Sequence, residues 1–174
     1  MSKLLPEMGK INSGITLSRA DLSSNRVLRD LHYLLIEATE YLRRSSNLGS
    51  CYVGADYKKF STFKDLVNGA GRSVLVARDE KDIIVGFVIL RFSEGKEFGN
   101  DESKRGSIDY LGVTWDERGR GIGRMLLVAA VEYLNELDAK CIGIRVAVWN
   151  EKAIHLYKSL GFDTEYLQLG LKLS

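Results

Sequence analysis

The chain has 174 residues, of which 45% are hydrophobic, and its 25 lysines and arginines nearly balance 23 aspartates and glutamates. This length and hydrophobic content fit a single domain with a sizeable core, so residues 1–174 are predicted to form one domain. The net charge of +2 gives no general attraction to nucleic acid or to an anionic membrane. We therefore expect neither as a partner.

Residues that commonly bind metals or form disulfides are scarce. The two cysteines, Cys51 and Cys141, lie far apart and match neither a disulfide framework nor a metal spacing, and there are only two histidines. No run approaches the ~18 apolar residues of a membrane span, and residues 1–14 lack the long apolar core of a signal peptide. We expect a cytoplasmic protein without a metal site.

Three elements are predicted before the first hairpin. They are a short strand over 15–17, a long helix within 21–46 and a shorter helix over 59–67. In the long helix, apolar residues recur at spacings of three and four, and Ser23 or Ser24 is available as its N-cap. Residues 1–14 are expected to be flexible.

Strands and helices alternate in the second half of the chain. The runs Ser73–Ala77 and Ile83–Phe92 are rich in β-branched residues and flank a charged turn, which predicts an antiparallel hairpin. The later predicted elements are strand Ser107–Val113, helix Gly123–Leu137, strand Cys141–Val148, helix Glu151–Leu160 and strand Glu165–Leu173. This order predicts a mixed sheet with helices on both faces.

Residues 118–124 read Arg-Gly-Arg-Gly-Ile-Gly-Arg and join a strand-like run to a helix-like run. Three glycines allow positive φ and close approach of a ligand, so that consecutive N–H groups can point into one concavity at a helix start. The segment predicts a phosphate-binding loop, and the alternative is a solvated basic turn. A dinucleotide-binding Gly-x-Gly-x-x-Gly pattern fits poorly, because Arg124 or Leu126 stands where its third glycine would be.

Two motifs follow one another in this half of the chain. The first is Arg118-x-x-Gly121-x-Gly123, and the second is Asn150-x-x-Ala153-x-x-x-Tyr157-x-x-x-Gly161-Phe162. Together they resemble the GCN5-related N-acetyltransferase (GNAT) superfamily. The resemblance covers about residues 83–173, the expected cofactor-binding and catalytic core, whereas residues 15–70 fit the family's variable substrate-side region loosely. It implies an α/β (α+β) acyl-CoA acyltransferase fold with a mixed, mostly antiparallel sheet of about six to seven strands.

The resemblance implies an acyltransferase that moves an acetyl group from acetyl-CoA to a primary amine, by direct attack in a ternary complex. The residues implied to contact coenzyme A are Leu111, Gly112, Val113, Arg118, Gly119, Arg120, Gly121, Ile122, Gly123, Arg124, Asn150, Ala153 and Tyr157. Leu111–Val113 would run beside the pantetheine arm and splay from the strand that begins near Cys141. A backbone N–H near Gly112 or Val113 would then stabilise the developing oxyanion.

Two side chains are candidates for moving protons. Tyr157 matches the family's tyrosine that protonates the leaving thiolate, which a phenol of pKa ~10 can do at neutral pH; the alternative is core packing. Asp109 is the candidate base that takes the proton of the amine, because relatives often place a base on this strand. The alternative for Asp109 is a simple ion pair with Arg105 or another cation. Where some relatives use a glutamate on the following strand, this chain has Arg145.

The acceptor amine has no recognisable motif in this chain, so small-molecule and protein amines both stay open, as does the acyl-chain preference. Family members often dimerise, which leaves a homodimer open. A second interpretation is a non-catalytic acyl-CoA-binding or regulatory module of the same fold.

Overall fold

A computed structural model describes residues 8–11, 14–44, 58–95 and 104–165. Within these ranges, six strands form one sheet whose spatial order follows the chain. The strands are β1 Met8–Ile11, β2 Ile15–Arg19, β3 Arg72–Arg78, β4 Ile84–Glu94, β5 Lys104–Val113 and β6 Cys141–Ile144. Neighbours are antiparallel from β1 to β5, and β5 and β6 are parallel. The predicted mixed, mostly antiparallel sheet is confirmed.

Four α-helices accompany the sheet in the part of the chain that the structure describes. They are α1 Asn25–Arg44, α2 Phe60–Val67, α3 Ile122–Glu136 and α4 Glu151–Lys158. The Oγ of Ser24 accepts a hydrogen bond from the Val27 N–H at 3.4 Å, so the capping role predicted for Ser23 or Ser24 belongs to Ser24. None of the helices described is both long and apolar enough to cross a bilayer.

The sheet separates two apolar cores, because successive side chains of a strand point to opposite faces. On one face, α3 packs against side chains that include Leu75, Val88, Leu90 and Ile108. On the other face, α1 and α2 pack against side chains that include Val74, Val76, Phe87 and Ile89. We call these the α3 face and the α1/α2 face. The prediction of helices on both faces is confirmed.

Several boundaries differ from the sequence prediction by one or two residues, and three strand differences are larger. Met8–Ile11, expected to be flexible, forms β1 and pairs with β2. β5 begins three residues early, at Lys104. β6 ends at Ile144 although the apolar alternation runs on to Val148, because a strand also needs a neighbour to pair with. The predicted strand Glu165–Leu173 lies outside the described residues except for Glu165.

The carboxyl-terminal part of β5 has no hydrogen-bonded partner from β6. Its pairing with β6 runs from Arg105–Cys141 to Ile108–Ile144 and stops there. On its other side, β5 stays paired with β4 as far as Val113. The predicted splay between these two strands is therefore present, and residues 109–113 of β5 leave a backbone edge beyond the last β6 pair.

A β-bulge lies where the splay begins. Ile89 and Leu90 are consecutive in β4, but their partners in β5 are Tyr110 and Ile108, so Asp109 is an extra residue in the ladder. A bulge redirects the side chain of the inserted residue and bends the strand. The candidate base predicted from the sequence thus occupies the one irregular position in the middle of β5.

Candidate active site

The glycine-rich loop ends in the first turn of α3. Gly119 and Gly121 have φ values of 80° and 83°, in the left-handed region that glycine adopts without strain. Gly121 is the N-cap, and the bond from the Met125 N–H to the Gly121 oxygen, at 3.0 Å, follows the helix start. The N–H groups of residues 122–124 therefore precede the first intrahelical bond and are directed out of the helix N-terminus.

Space is available in front of this loop. A Cβ built on Gly119 or Gly121 would meet no heavy atom within 4 Å, so these positions are glycine because of their φ and not because of crowding. By contrast, a Cβ on Gly123 would lie 3.8 Å from side-chain atoms of Leu156 and Val113. Free volume beside unbonded helix N–H groups fits a pyrophosphate.

Each of the three loop arginines has a protein partner. The Nε of Arg118 donates to the Val113 oxygen at 3.1 Å, and its guanidinium lies 4.8 Å from the centre of the Trp115 ring. Arg120 pairs with Glu117. Arg124 donates to the Ser159 Oγ at 2.8 Å. Since the Ser159 hydroxyl is uncharged, Arg124 adds positive charge to the loop. The bonds of Arg118 and Arg124 connect the loop to β5 and to the end of α4.

The direction of the backbone groups along the open edge of β5 follows from one hydrogen bond. The Thr114 N–H donates to the Val85 oxygen at 2.9 Å and so faces β4. Because N–H groups alternate sides along a strand, those of Val113 and Leu111 face away from β4, and that of Gly112 faces toward it. The Arg118 bond reaches the Val113 oxygen on the same open side. Of the two donors predicted for the oxyanion, Val113 therefore has the accessible orientation.

Helix α4 carries the second motif beside the loop. The Oδ1 of Asn150 accepts from the Ala153 N–H at 3.4 Å, which confirms the capping role of Asn150. Leu156 and Tyr157 pack against the core on the α3 face, and the Tyr157 ring lies 6.2 Å from the Phe162 ring. Burial raises the pKa of the Tyr157 phenol to about 12, so the group stays protonated at neutral pH. Tyr157 therefore packs against the core and also carries a protonated hydroxyl, so the two predicted roles are compatible.

Asp109 lies on the opposite side of the sheet from Tyr157. Its Oδ1 accepts from the Ser107 Oγ at 2.9 Å, and its Oδ2 lies 3.4 Å from Nη2 of Arg72. The ion pair considered from the sequence is thus present, but its cation is Arg72 of β3 rather than the neighbouring Arg105. Arg72 also donates to the Leu66 oxygen of α2 at 2.9 Å, which places the pair on the α1/α2 face.

Sequence reasoning missed Arg72 and its neighbour Arg91. Each is a single arginine at the end of an apolar strand, which is an ordinary position for a solvated charge, and no spacing links either to Asp109. Only the strand register brings them together, since Arg72 pairs with Arg91 and Arg91 pairs with Ser107. The sequence contained no signal that would have found this group.

A model of the acetyltransferase (GNAT) family matches residues 34–162. A mycothiol acetyltransferase from Propionibacterium freudenreichii is 35% identical over 97 residues, which are 56% of this chain and 30% of that protein. An N-terminal acetyltransferase complex ARD1 subunit homolog from Dictyostelium discoideum is 36% identical over 83 residues, 47% of this chain and 38% of that protein. The chain thus spans about a third of the length of these curated relatives.

Solved structures of the same shape extend over nearly the whole chain. A tetramutant of the BH1408 protein from Bacillus halodurans has a TM-score of 0.74 at 22% identity and covers 90% of this chain and 99% of its own. A ribosomal-protein-alanine N-acetyltransferase from Brucella melitensis has a TM-score of 0.67 at 18% identity, with 91% and 99% covered. At these identities the likeness shows the fold.

Proposed function

Because the chain belongs to the acetyltransferase (GNAT) family, we propose that it transfers an acetyl group from acetyl-CoA to a primary amine by direct attack in a ternary complex. One observation carries the proposal: the glycine loop leads into the first turn of α3, where Gly123 lies beside Val113 of β5 and Leu156 of α4. The three features come from separate segments, and each supplies what a different part of a thioester cofactor requires.

Acetyl-CoA supplies the activated acetyl thioester. The N–H groups of residues 122–124 and the free space at Gly119 and Gly121 suit its pyrophosphate. The outward N–H groups of Leu111 and Val113 are available to the pantetheine amides and the thioester carbonyl, because no β6 residue pairs with β5 beyond Ile108. Asn150 caps the N-terminus of α4, the helix that carries Tyr157.

Two residues on opposite faces of the sheet would move the protons. Tyr157, kept protonated by burial, donates a proton to the departing thiolate. Asp109, at the start of the splay and on the α1/α2 face, accepts the proton of the incoming amine, directly or through water. This arrangement lets the cofactor and the acceptor approach the reacting carbon from different sides.

The first experiment is calorimetric titration of the purified chain with acetyl-CoA, with NAD and ATP as controls. We expect micromolar binding of acetyl-CoA alone, and Gly121→Asp should abolish it, because the new carboxylate would occupy the anion site and strain the left-handed backbone. Gly161→Asp is the matched control: Gly161 also has positive φ, at 90°, and open space at its Cβ. It should reduce stability but retain binding.

Absence of acetyl-CoA binding in the wild-type chain would refute the proposed acetyl transfer. Equal loss of binding in Gly121→Asp and Gly161→Asp would show that backbone strain, rather than the loop, is responsible. With binding established, a library of amines with free-thiol detection identifies acceptors. Binding without turnover, and no effect of Asp109→Asn on any transfer, would favour a non-catalytic acyl-CoA-binding module.

A further inference from the structure

A row of polar side chains crosses three strands on the α1/α2 face. Arg72 of β3 is the register partner of Arg91 of β4, which is in turn the partner of Ser107 of β5. Arg72 and Arg91 share this face because Val74 and Ile89, two residues along their strands, belong to its core. Asp109 completes the group through its contacts with Ser107 and Arg72. We call these four residues the arginine row.

The charges of the arginine row are not balanced. The carboxylate of Asp109 is 3.4 Å from Arg72, and the two side chains are only 17% and 23% exposed. Arg91 is half-buried, and its side chain has no hydrogen bond or ion pair among the described residues. The Nε atoms of both arginines are buried without an acceptor. The row therefore holds two guanidinium groups but only one carboxylate, and that carboxylate is paired with Arg72.

An unpaired guanidinium in such a site is costly, because it loses hydration without gaining an acceptor. The cost is recovered when an anion occupies the site. Guanidinium groups match the planar, two-oxygen geometry of a carboxylate. Of the Arg91 guanidinium nitrogens, only Nε is both buried and unpaired among the described residues, so the two Nη groups are the donors that a ligand can reach. Flanked by Arg72, they favour a carboxylate partner from outside the described chain.

The row adjoins the place where the amine must react. The β5–β6 pairing stops at Ile108–Ile144, and Asp109 follows as the bulge residue at the closed end of the splay. Arg91 and Asp109 are diagonal neighbours on adjacent strands, a relation that separates Cα atoms by roughly 7–8 Å. One small molecule can therefore place an ammonium group at Asp109 and a carboxylate at Arg91.

Building on the acetyltransferase function proposed above, we propose that the acceptor is a free amino acid, a small zwitterion whose carboxylate is bound by Arg91 with help from Arg72. The ammonium group lies at Asp109, which takes its proton before the nitrogen attacks the thioester carbonyl. The C–N bond forms and the C–S bond breaks, and the thiolate leaves with the proton of Tyr157. The nitrogen then gives its second proton to the Tyr157 oxygen through water, and Asp109 releases its proton to solvent. The carboxylate takes no part in the bond changes and acts only in recognition.

The test compares acceptors with a carboxylate against their neutral amides: alanine against alaninamide, phenylalanine against phenylalaninamide, and 4-aminobutyrate against its amide. Rates are expressed per concentration of free amine, because the amide also lowers the pKa of the neighbouring amine. Initial rates of thiol release give the ratio of kcat/KM for acid over amide. In the wild-type chain we expect the acid to be favoured for at least one pair. In Arg91→Met that ratio should fall by about 10- to 100-fold, the size of a lost hydrogen bond to a charged group, mainly through KM.

Two further variants separate recognition from damage to the fold. Arg91→Lys keeps the charge but not the paired donors, so its ratio should lie between those of wild type and Arg91→Met. Arg78→Met is the matched control, because Arg78 is a half-buried arginine at the other end of β3, paired with Asp82. Its acid-to-amide ratio should equal that of the wild type.

The outcomes distinguish this inference from the function on which it rests. Turnover of amides and acids at equal kcat/KM, or an acid preference unchanged in Arg91→Met, would overturn the carboxylate site and leave acetyl transfer intact. Preference for a peptide amine over every free amino acid would also overturn it. Failure of acetyl-CoA to bind in the accompanying titration would instead remove the acetyl-transfer function itself.

Discussion

The two faces of the sheet carry two different kinds of site. On the α3 face, the candidate cofactor site in the loop of residues 118–124 consists of backbone N–H groups and two glycines of positive φ, Gly119 and Gly121. On the α1/α2 face, the proposed acceptor site in the arginine row consists of side chains from β3, β4 and β5. The first site is continuous in sequence, whereas the second spans residues 72–109. Their difference shows why the cofactor side is recognisable from the sequence and the acceptor side is not.

The two sites also differ in how many of their polar groups have hydrogen-bond partners within the protein. On the loop side, Arg118, Arg120 and Arg124 each have a protein partner, and the free groups are helix N–H donors that water can reach. On the acceptor side, two buried Nε atoms have no acceptor. A binding site built from backbone donors costs little stability when empty, whereas a buried, unpaired guanidinium costs more. The predictions that follow use this contrast.

The largest effect is expected from Tyr157→Phe. Removal of the hydroxyl takes away the proton donor to the thiolate, so kcat should fall by about 10²-fold, the scale of general-acid catalysis, with acetyl-CoA binding near normal. Tyr133→Phe is the matched control, because its hydroxyl is also buried but bonds to Ser73 at 2.8 Å. That variant should lose stability and keep its rate. An unchanged kcat in Tyr157→Phe would mean that Tyr157 serves only in packing.

A smaller effect is expected on the free energy of unfolding, which should respond differently to substitution of Arg72 and of Arg91. Arg72→Met removes the partner of Asp109 and a donor to the Leu66 oxygen, so the free energy of unfolding should fall by about 1–3 kcal/mol. Arg91→Met breaks no bond within the described chain and should change it by less than about 0.5 kcal/mol or raise it. Urea denaturation measures both. Equal destabilisation by the two substitutions would mean that Arg91 is as structural as Arg72.

The smallest effect is a pH dependence caused by Tyr157. Its folded pKa of about 12 lies above the ordinary value of 10.0. The unfolded chain therefore loses this proton first, so its contribution to stability is complete below pH 10 and is lost as the pH rises toward 12. From about pH 9 to pH 11 the wild type should lose about 1 kcal/mol more than Tyr157→Phe. Parallel stability profiles of the two proteins over this range would contradict the burial of the phenol.

Local patterns predicted most of the secondary structure because each pattern reports a local constraint. Apolar periodicity placed α1 and α3 to within a few residues of their ends, and Asn150 was correctly identified as the cap of α4. The same reasoning extended β6 to Val148, four residues too far. Alternation of apolar residues shows which side chains could face a core, but not whether a neighbouring strand is there to pair with.

The candidate site divides in the same way. The sequence alone predicts the loop and Tyr157 as candidate site residues, since their residue types and spacing are fixed over short stretches of chain; their roles stay predictions. Asp109 was identified as a candidate base, but its bulge and its partner Arg72 were not. Arg91 was not identified at all, because nothing near it in the sequence differs from an ordinary strand end.

The sequence by itself determined the family, the order of the elements and the glycine-rich turn before α3, because glycine φ preferences, helix caps and apolar periodicity act over a few consecutive residues. Only the tertiary structure decided that β5 separates from β6 after Ile108, that Asp109 forms a bulge, and that Arg72 and Arg91 lie in register with Ser107. Strand register depends on contacts between residues far apart in the chain, and a shift of one residue would turn these side chains to the opposite face.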